Sequence, residues 1–142
     1  MSELKQEIMQ ILKQPILGSL ATITDEQKPW VRYVILFTDD EMKIRVATFL
    51  NARKVQQIKA NPEVHLCCGV NDIENWQTYL QIQGHATITT DQKEKDNLWD
   101  PHFAEIFTGP DDPNYMVIII EPYRIEYYQI GKAEPRIWEK AN

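Results

Sequence analysis

The sequence predicts a mainly β fold, a small antiparallel barrel with peripheral helices, from three features. Six or seven stretches carry strand patterns joined by short polar turns. The longest, residues 76–90, has Gly84 in its middle, as strands do where a sheet curls on itself. Helical spacing is confined to short segments at the corners. At 142 residues, 43% apolar and 25% charged, the chain fits one domain over 1–142 with a real core. No internal repeat or low-complexity linker divides it.

Residues 2–14 read as an amphipathic helix. Leu4, Ile8, Ile11 and Leu12 recur at helical spacing, Ser2 can cap the start and Pro15 ends it. Residues 16–24 form an apolar, β-branched strand containing Gly18. A DEQK turn leads to a second strand over 29–37, and a TDDE turn to a third over 42–49, making an antiparallel meander. Residues 52–60 are helical and are stopped by Asn61-Pro62. A fourth strand spans 63–70, then an NDIENW loop precedes the long strand of 76–90. Asp91 with Glu94 three residues later is a capping-box start for a helix to about Trp99, and 102–107 adds a helical turn. After the rigid GPDDPN loop, strands over 115–121 and 123–130 are separated by Pro122, and residues 131–142 read as a polar tail.

The net charge of −6 and a pI near 5.0 argue against a protein that coats nucleic acid or anionic membrane. No apolar run reaches about 18 residues, and the start lacks the apolar region of a signal peptide, so a cytoplasmic protein is expected. Cys67 and Cys68 are adjacent, which excludes a disulfide framework, and they are expected to be buried strand residues. No metal site is expected.

Against this acidic background, three cations need a cause. On the second strand Trp30, Arg32, Val34 and Leu36 share one face, so Arg32 has apolar neighbours and must find a carboxylate, carbonyls or a ligand. Arg53 and Lys54 fall in the first turn of a helix, where partial positive charge disfavours cations by about 0.3–1 kcal/mol each. Either an anion such as phosphate sits there, or both side chains extend into solvent.

Other candidates are weaker. His65, His85 and His102 are scattered with no activated Ser or Cys beside them, and no glycine-rich phosphate loop occurs. Trp76, Tyr79, Trp99, Tyr127, Tyr128 and Trp138 suit the core or a subunit interface, and a planar cofactor could use one or two.

These residues resemble the flavin-binding split-barrel family of pyridoxamine 5′-phosphate oxidase-like proteins, and within it the small bacterial general-stress-protein type. GSLATIT, PWVR, TFLNARKV and the ANP helix stop match its N-terminal half. LWDP, GPDDPNY and IEYY after a proline match the C-terminal half, so the resemblance covers nearly the whole chain. It implies a split barrel, a homodimer and FMN at the subunit interface. Arg32 and Lys54 match residues that grip the FMN phosphate, and Arg53 accompanies Lys54. Tyr33, Val34 and Ile35 match strand backbone along the isoalloxazine ring, and Thr48 and Phe49 the strand end lining the same pocket. The second subunit would contribute the strand of 76–83, where Tyr79 lies, and C-terminal residues. Tyr128 takes the place of an aromatic against the flavin, Lys140 stands for a C-terminal Arg, and Trp99 is a further candidate cofactor contact.

The chain also departs from the family pattern. Ala52 replaces a Ser that can bond the phosphate. Phe37 replaces a substrate-binding Lys, and Arg136-Ile137-Trp138 stands for Arg-x-His, so the vitamin-B6 oxidase reaction is not expected. The expected function is that of an FMN-dependent oxidoreductase with an unknown small-molecule substrate or electron donor. The alternatives are a flavin-binding electron carrier, sensor or store, a relative binding the deazaflavin F420 or haem, and an interaction domain with an empty pocket. No catalytic side chain is named.

Overall fold

The computed structural model describes residues 2–141; Met1 and Asn142, the two ends of the predicted domain and tail, lie outside the described residues. The elements are α1 (Glu3–Leu12), β1 (Ile16–Ile23), β2 (Pro29–Thr38), β3 (Ile44–Phe49), α2 (Arg53–Ala60), β4 (Glu63–Cys68), β5 (Thr78–Thr89), α3 (Gln92–Leu98), a 3-10 turn (Pro101–Glu105), β6 (Tyr115–Gln129) and β7 (Arg136–Glu139). Local chemistry sets several boundaries. Ser2 Oγ accepts from the Lys5 amide at 3.1 Å and starts α1. Asp39 Oδ1 accepts from the Glu41 and Lys43 amides, both at 2.9 Å, and builds the β2–β3 turn.

Every strand pairs antiparallel, in the order β3-β2-β1-β4-β5-β6-β7, and a further β3–β6 pairing closes β1 to β6 into a barrel. β1 pairs with β2 over its whole length, from Ile16↔Leu36 to Ile23↔Pro29. β2 and β3 pair only at Phe37↔Arg45 and Thr38↔Ile44, after which β3 turns away to β6. Among the described residues, that parting leaves one edge of β2 without a strand partner from Pro29 to Leu36, and it is the split in the barrel.

The interior is apolar and closed. Leu20, Leu36, Ile44, Leu66, Leu80, Ile82, Ile118 and Ile120 fill it, and Ile8 and Leu12 of α1 plug one end. A smaller cluster outside the wall joins Leu98, Phe103, Phe107, Tyr115 and Val117 under α3 and the 3-10 turn. Lys95 is buried there. Its ammonium donates to the Asp112 carbonyl at 2.9 Å and lies 5.3 Å from the Tyr115 ring centroid.

Four expectations are corrected. Pro122 does not divide two strands: β6 runs unbroken for 15 residues, with a bulge between Gln83 and Gly84 that places Gly84 opposite Pro122. A Cβ on Gly84 would come within 2.9 Å of Ile120 Cγ2, so glycine is what lets the two strands approach. The supposed polar tail contains β7, which pairs with β6 from Arg124↔Glu139 to Tyr127↔Arg136. Met42 is not in β3 but in the turn before it, buried and at φ 68°. Of the two cysteines only Cys68 is buried; Cys67 lies on the outer face and is half-buried.

Candidate functional site

The site forms where β2, freed from β3, passes the start of α2. Val34 and Leu36 point into the core, and Arg32, two residues earlier on that face, emerges at the barrel mouth. Its Nη1 donates to Thr22 Oγ1 at 2.7 Å and to the Trp30 and Leu20 carbonyls at 3.1 and 3.2 Å. Its Nη2 donates to Gln57 Oε1 at 3.1 Å. Every one of these acceptors is neutral. The open choice between a carboxylate, carbonyls and a ligand is thus resolved against a carboxylate.

Lys54 is half-buried beside Arg32. Burial, with the Arg32 charge, lowers the Lys54 ammonium below its ordinary pKa, and burial, with the Arg53 charge, lowers the Arg32 guanidinium. Arg53 lies over the Trp30 indole, its guanidinium carbon 5.7 Å from the ring centroid. Among the described residues, none of the three cations pairs with a carboxylate. α2 adds to the positive field, because Ala52 offers no side-chain cap and its first turn holds no acid. Thr48, at the end of β3 and only 3% exposed, has a hydroxyl with no partner among the described residues, and so has Thr38 where β2 and β3 still pair. The clustered positive charge at the start of α2 is the donor set that an oxyanion would satisfy.

Beside the cations, the outward face of β2 is apolar and bare. Tyr33 is 79% exposed, and Val31 and Ile35 flank it, with Leu17 of β1 next to them. Val34 presents only its backbone to this surface, since its side chain is in the core. Phe49 is partly exposed and packs on Phe107, with ring centroids 4.9 Å apart.

The other candidates lie apart from the cations. Tyr79 and Tyr128 face each other across β5 and β6, with ring centroids 5.0 Å apart, on the outer sheet surface. Trp99 belongs to the outer cluster, edge-on to Phe103 and Tyr115, each at 5.7 Å. Lys140 follows β7 and lies 3.9 Å from Glu121. Within one chain, then, Arg32, Arg53 and Lys54 meet, while Trp99 and Lys140 are engaged elsewhere.

Sequence reasoning missed Thr22, Gln57 and Trp30. Gln57 had a signal, since it lies three and four residues after Lys54 and Arg53 on α2. Thr22 had none, because its place beside Arg32 follows from the β1–β2 register.

Alternative chemistry is poorly served. Burial raises the Cys67 thiol and pushes Cys68 up to about 12, which keeps both as thiols at neutral pH. Among the described residues, no group of His, Cys, Asp and Glu could hold a metal ion. No described helix is long and apolar enough to cross a membrane.

The pyridoxamine 5′-phosphate oxidase family model matches residues 4–129. The chain belongs to this family. It is 32% identical over 133 residues to general stress protein 26 of Bacillus subtilis (strain 168), covering 94% of each chain. The crystal structure of general stress protein 26 from Bacillus anthracis str. Sterne superposes with a TM-score of 0.84 at 28% identity, covering 98% of this chain and 100% of that one. Two more distant structures share the fold. One is a pyridoxamine 5′-phosphate oxidase-related, FMN binding protein from Nostoc punctiforme PCC 73102, with TM-score 0.68, 14% identity and coverage of 97% and 90%. The other is a heme binding protein from Mycobacterium smegmatis, with TM-score 0.77, 14% identity and coverage of 98% and 59%.

Proposed function

We propose that this family member binds FMN between the two subunits of a homodimer and acts as an FMN-dependent oxidoreductase. The observation that carries the reading is the cluster of Arg32, Arg53 and Lys54 at the barrel split, without a carboxylate among the described residues. A phosphomonoester supplies the missing negative charge, with the start of α2 as a further donor. The free edge of β2 offers unpaired backbone groups to a ring lying along Tyr33 to Ile35. A second copy set against the apolar face of Leu17, Val31, Tyr33 and Ile35 would cover that ring and exclude water.

When bound, FMN supplies hydride or electron transfer at its ring, and the chain's residues hold and orient it. The vitamin-B6 oxidase reaction is not part of this reading. Phe37 packs edge-on against Phe103 at 5.8 Å and Trp138 packs on the core, so neither position offers a cation or imidazole to a substrate phosphate. The deciding experiment is mass spectrometry of the molecule released when purified protein is denatured. FMN is expected; haem, F420 or nothing overturns the proposal. Bleaching of the bound flavin by NADH or NADPH under anaerobic conditions then separates an enzyme from a flavin store.

A further inference from the structure

Around Arg32 the hydrogen bonds form a closed ring. Thr22 Oγ1 accepts from Arg32 Nη1 at 2.7 Å and donates onward to Gln57 Oε1 at 2.5 Å. Gln57 Oε1 also accepts from Arg32 Nη2 at 3.1 Å. The directions are forced. A guanidinium only donates, so Gln57 must present its carbonyl oxygen rather than its amide nitrogen, and the Thr22 proton must point to Gln57. Thr22 is 1% exposed, which removes water as a competitor.

Two acceptors 2.5 Å apart, served by the two different terminal nitrogens, occupy the end-on edge of the guanidinium. The opposite, side-on edge carries the Nε–H and the outer Nη2–H. Among the described residues, Nε donates to nothing. Those two parallel N–H groups match two oxygens of one phosphate.

We propose that Gln57 and Thr22 are positioning residues, which clamp the end-on edge of Arg32 so that its side-on edge is preset for the ligand phosphate. This rests on the phosphate reading above and adds residues that do not themselves touch the ligand. Preorganisation of this kind raises affinity because the long arginine side chain is ordered before the ligand arrives.

The test is a double-mutant cycle read by titration with FMN and with riboflavin, which lacks the phosphate. Gln57→Leu should weaken FMN binding about tenfold and leave riboflavin binding unchanged, and in an Arg32→Met background it should cost nothing further. Additive losses, or undiminished FMN affinity in folded Gln57→Leu, would overturn the proposal. Thr22→Val, which keeps the side-chain shape, serves the same cycle if Gln57→Leu fails to fold. Side-chain nitrogen NMR of the ligand-free protein gives an independent readout. Separate Nη1 and Nη2 signals for Arg32 are expected, merging in Gln57→Leu; signals already merged in the unsubstituted protein refute positioning. Equal affinity for FMN and riboflavin in that protein would fell the phosphate reading, while the NMR result still decides the role of Gln57.

Discussion

Arg53 rests over the face of Trp30, its guanidinium carbon 5.7 Å from the ring centroid. The indole steadies a cation where a carboxylate would have neutralised it. β2 supplies the ring and α2 the charge, so the contact also ties the free stretch of β2 to the helix that faces it. Positive charge is thereby held in place and left uncancelled.

Charge reversal within this cluster should be decisive. Lys54→Glu places a carboxylate beside Arg32, and FMN affinity is expected to fall at least tenfold, or about 1.4 kcal/mol. Riboflavin affinity should change far less. Flavin fluorescence titration measures both, and an unaltered FMN constant would remove Lys54 from the site.

The bare face of β2 makes a separate prediction. Tyr33→Asp puts a charge at the centre of the apolar patch formed with Val31, Ile35 and Leu17. Sedimentation should show a dimer for the unsubstituted protein and a monomer for this variant, with flavin lost on dilution. A dimer of undiminished stability would mean that subunits meet elsewhere.

Arg45 contributes to the acid limb of stability. Its Nε donates to Glu94 at 2.7 Å and its Nη1 to Asp39 at 2.7 Å, joining α3 and the β2–β3 turn to β3. The Arg45 hydrogen bond holds Glu94 below the usual carboxylate range. For Asp39, burial raises the pKa, but Arg45 and the Lys43 and Glu41 amides outweigh it and leave it lowered. Groups depressed on folding contribute stability that is complete above their unfolded values, about 4, and is lost as pH falls through the lower folded ones. Arg45→Met should therefore reduce stability by about 1–2 kcal/mol at neutral pH and flatten the decline below pH about 4. Denaturant titrations at several pH values test this; parallel curves for the two proteins would contradict it.

Gly84 is expected to tolerate no side chain. A Cβ there meets Ile120 Cγ2 at 2.9 Å and the Glu121 carbonyl at 3.0 Å, atoms fixed in the barrel wall. Gly84→Ala should destabilise the fold by about 1–3 kcal/mol, read as a lowered thermal midpoint. An unchanged midpoint would show that the bulge can relax.

Much of this architecture was legible because it is local. The meander of β1 to β3 follows from alternation and polar turns, and the misplaced charges of Arg53 and Lys54 could be read from helix electrostatics alone. What escaped was non-local. Pro122 reads as a break, yet a register shift that leaves Tyr123 unpaired with β5, between Arg124 and Pro122, lets β6 continue. β7 looks like tail because RIWE is short; it is held by Trp138 on the core and by Arg136, 2.8 Å from Glu7 of α1. The Thr22 and Gln57 contacts with Arg32 depend on how β1, β2 and α2 converge, which no window of sequence displays.

The early parting of β2 from β3 has a further consequence for how the protein keeps to itself. An unpaired strand edge invites a strand from another chain, and such edges are commonly guarded by charge. Positive charge stands at that stretch here, since Arg32 lies within it and Arg53 is held over the Trp30 ring. If these cations hold a small anion as proposed, the same charge would discourage runaway strand addition, so replacing Arg32 and Arg53 by Met should raise self-association, measured by light scattering.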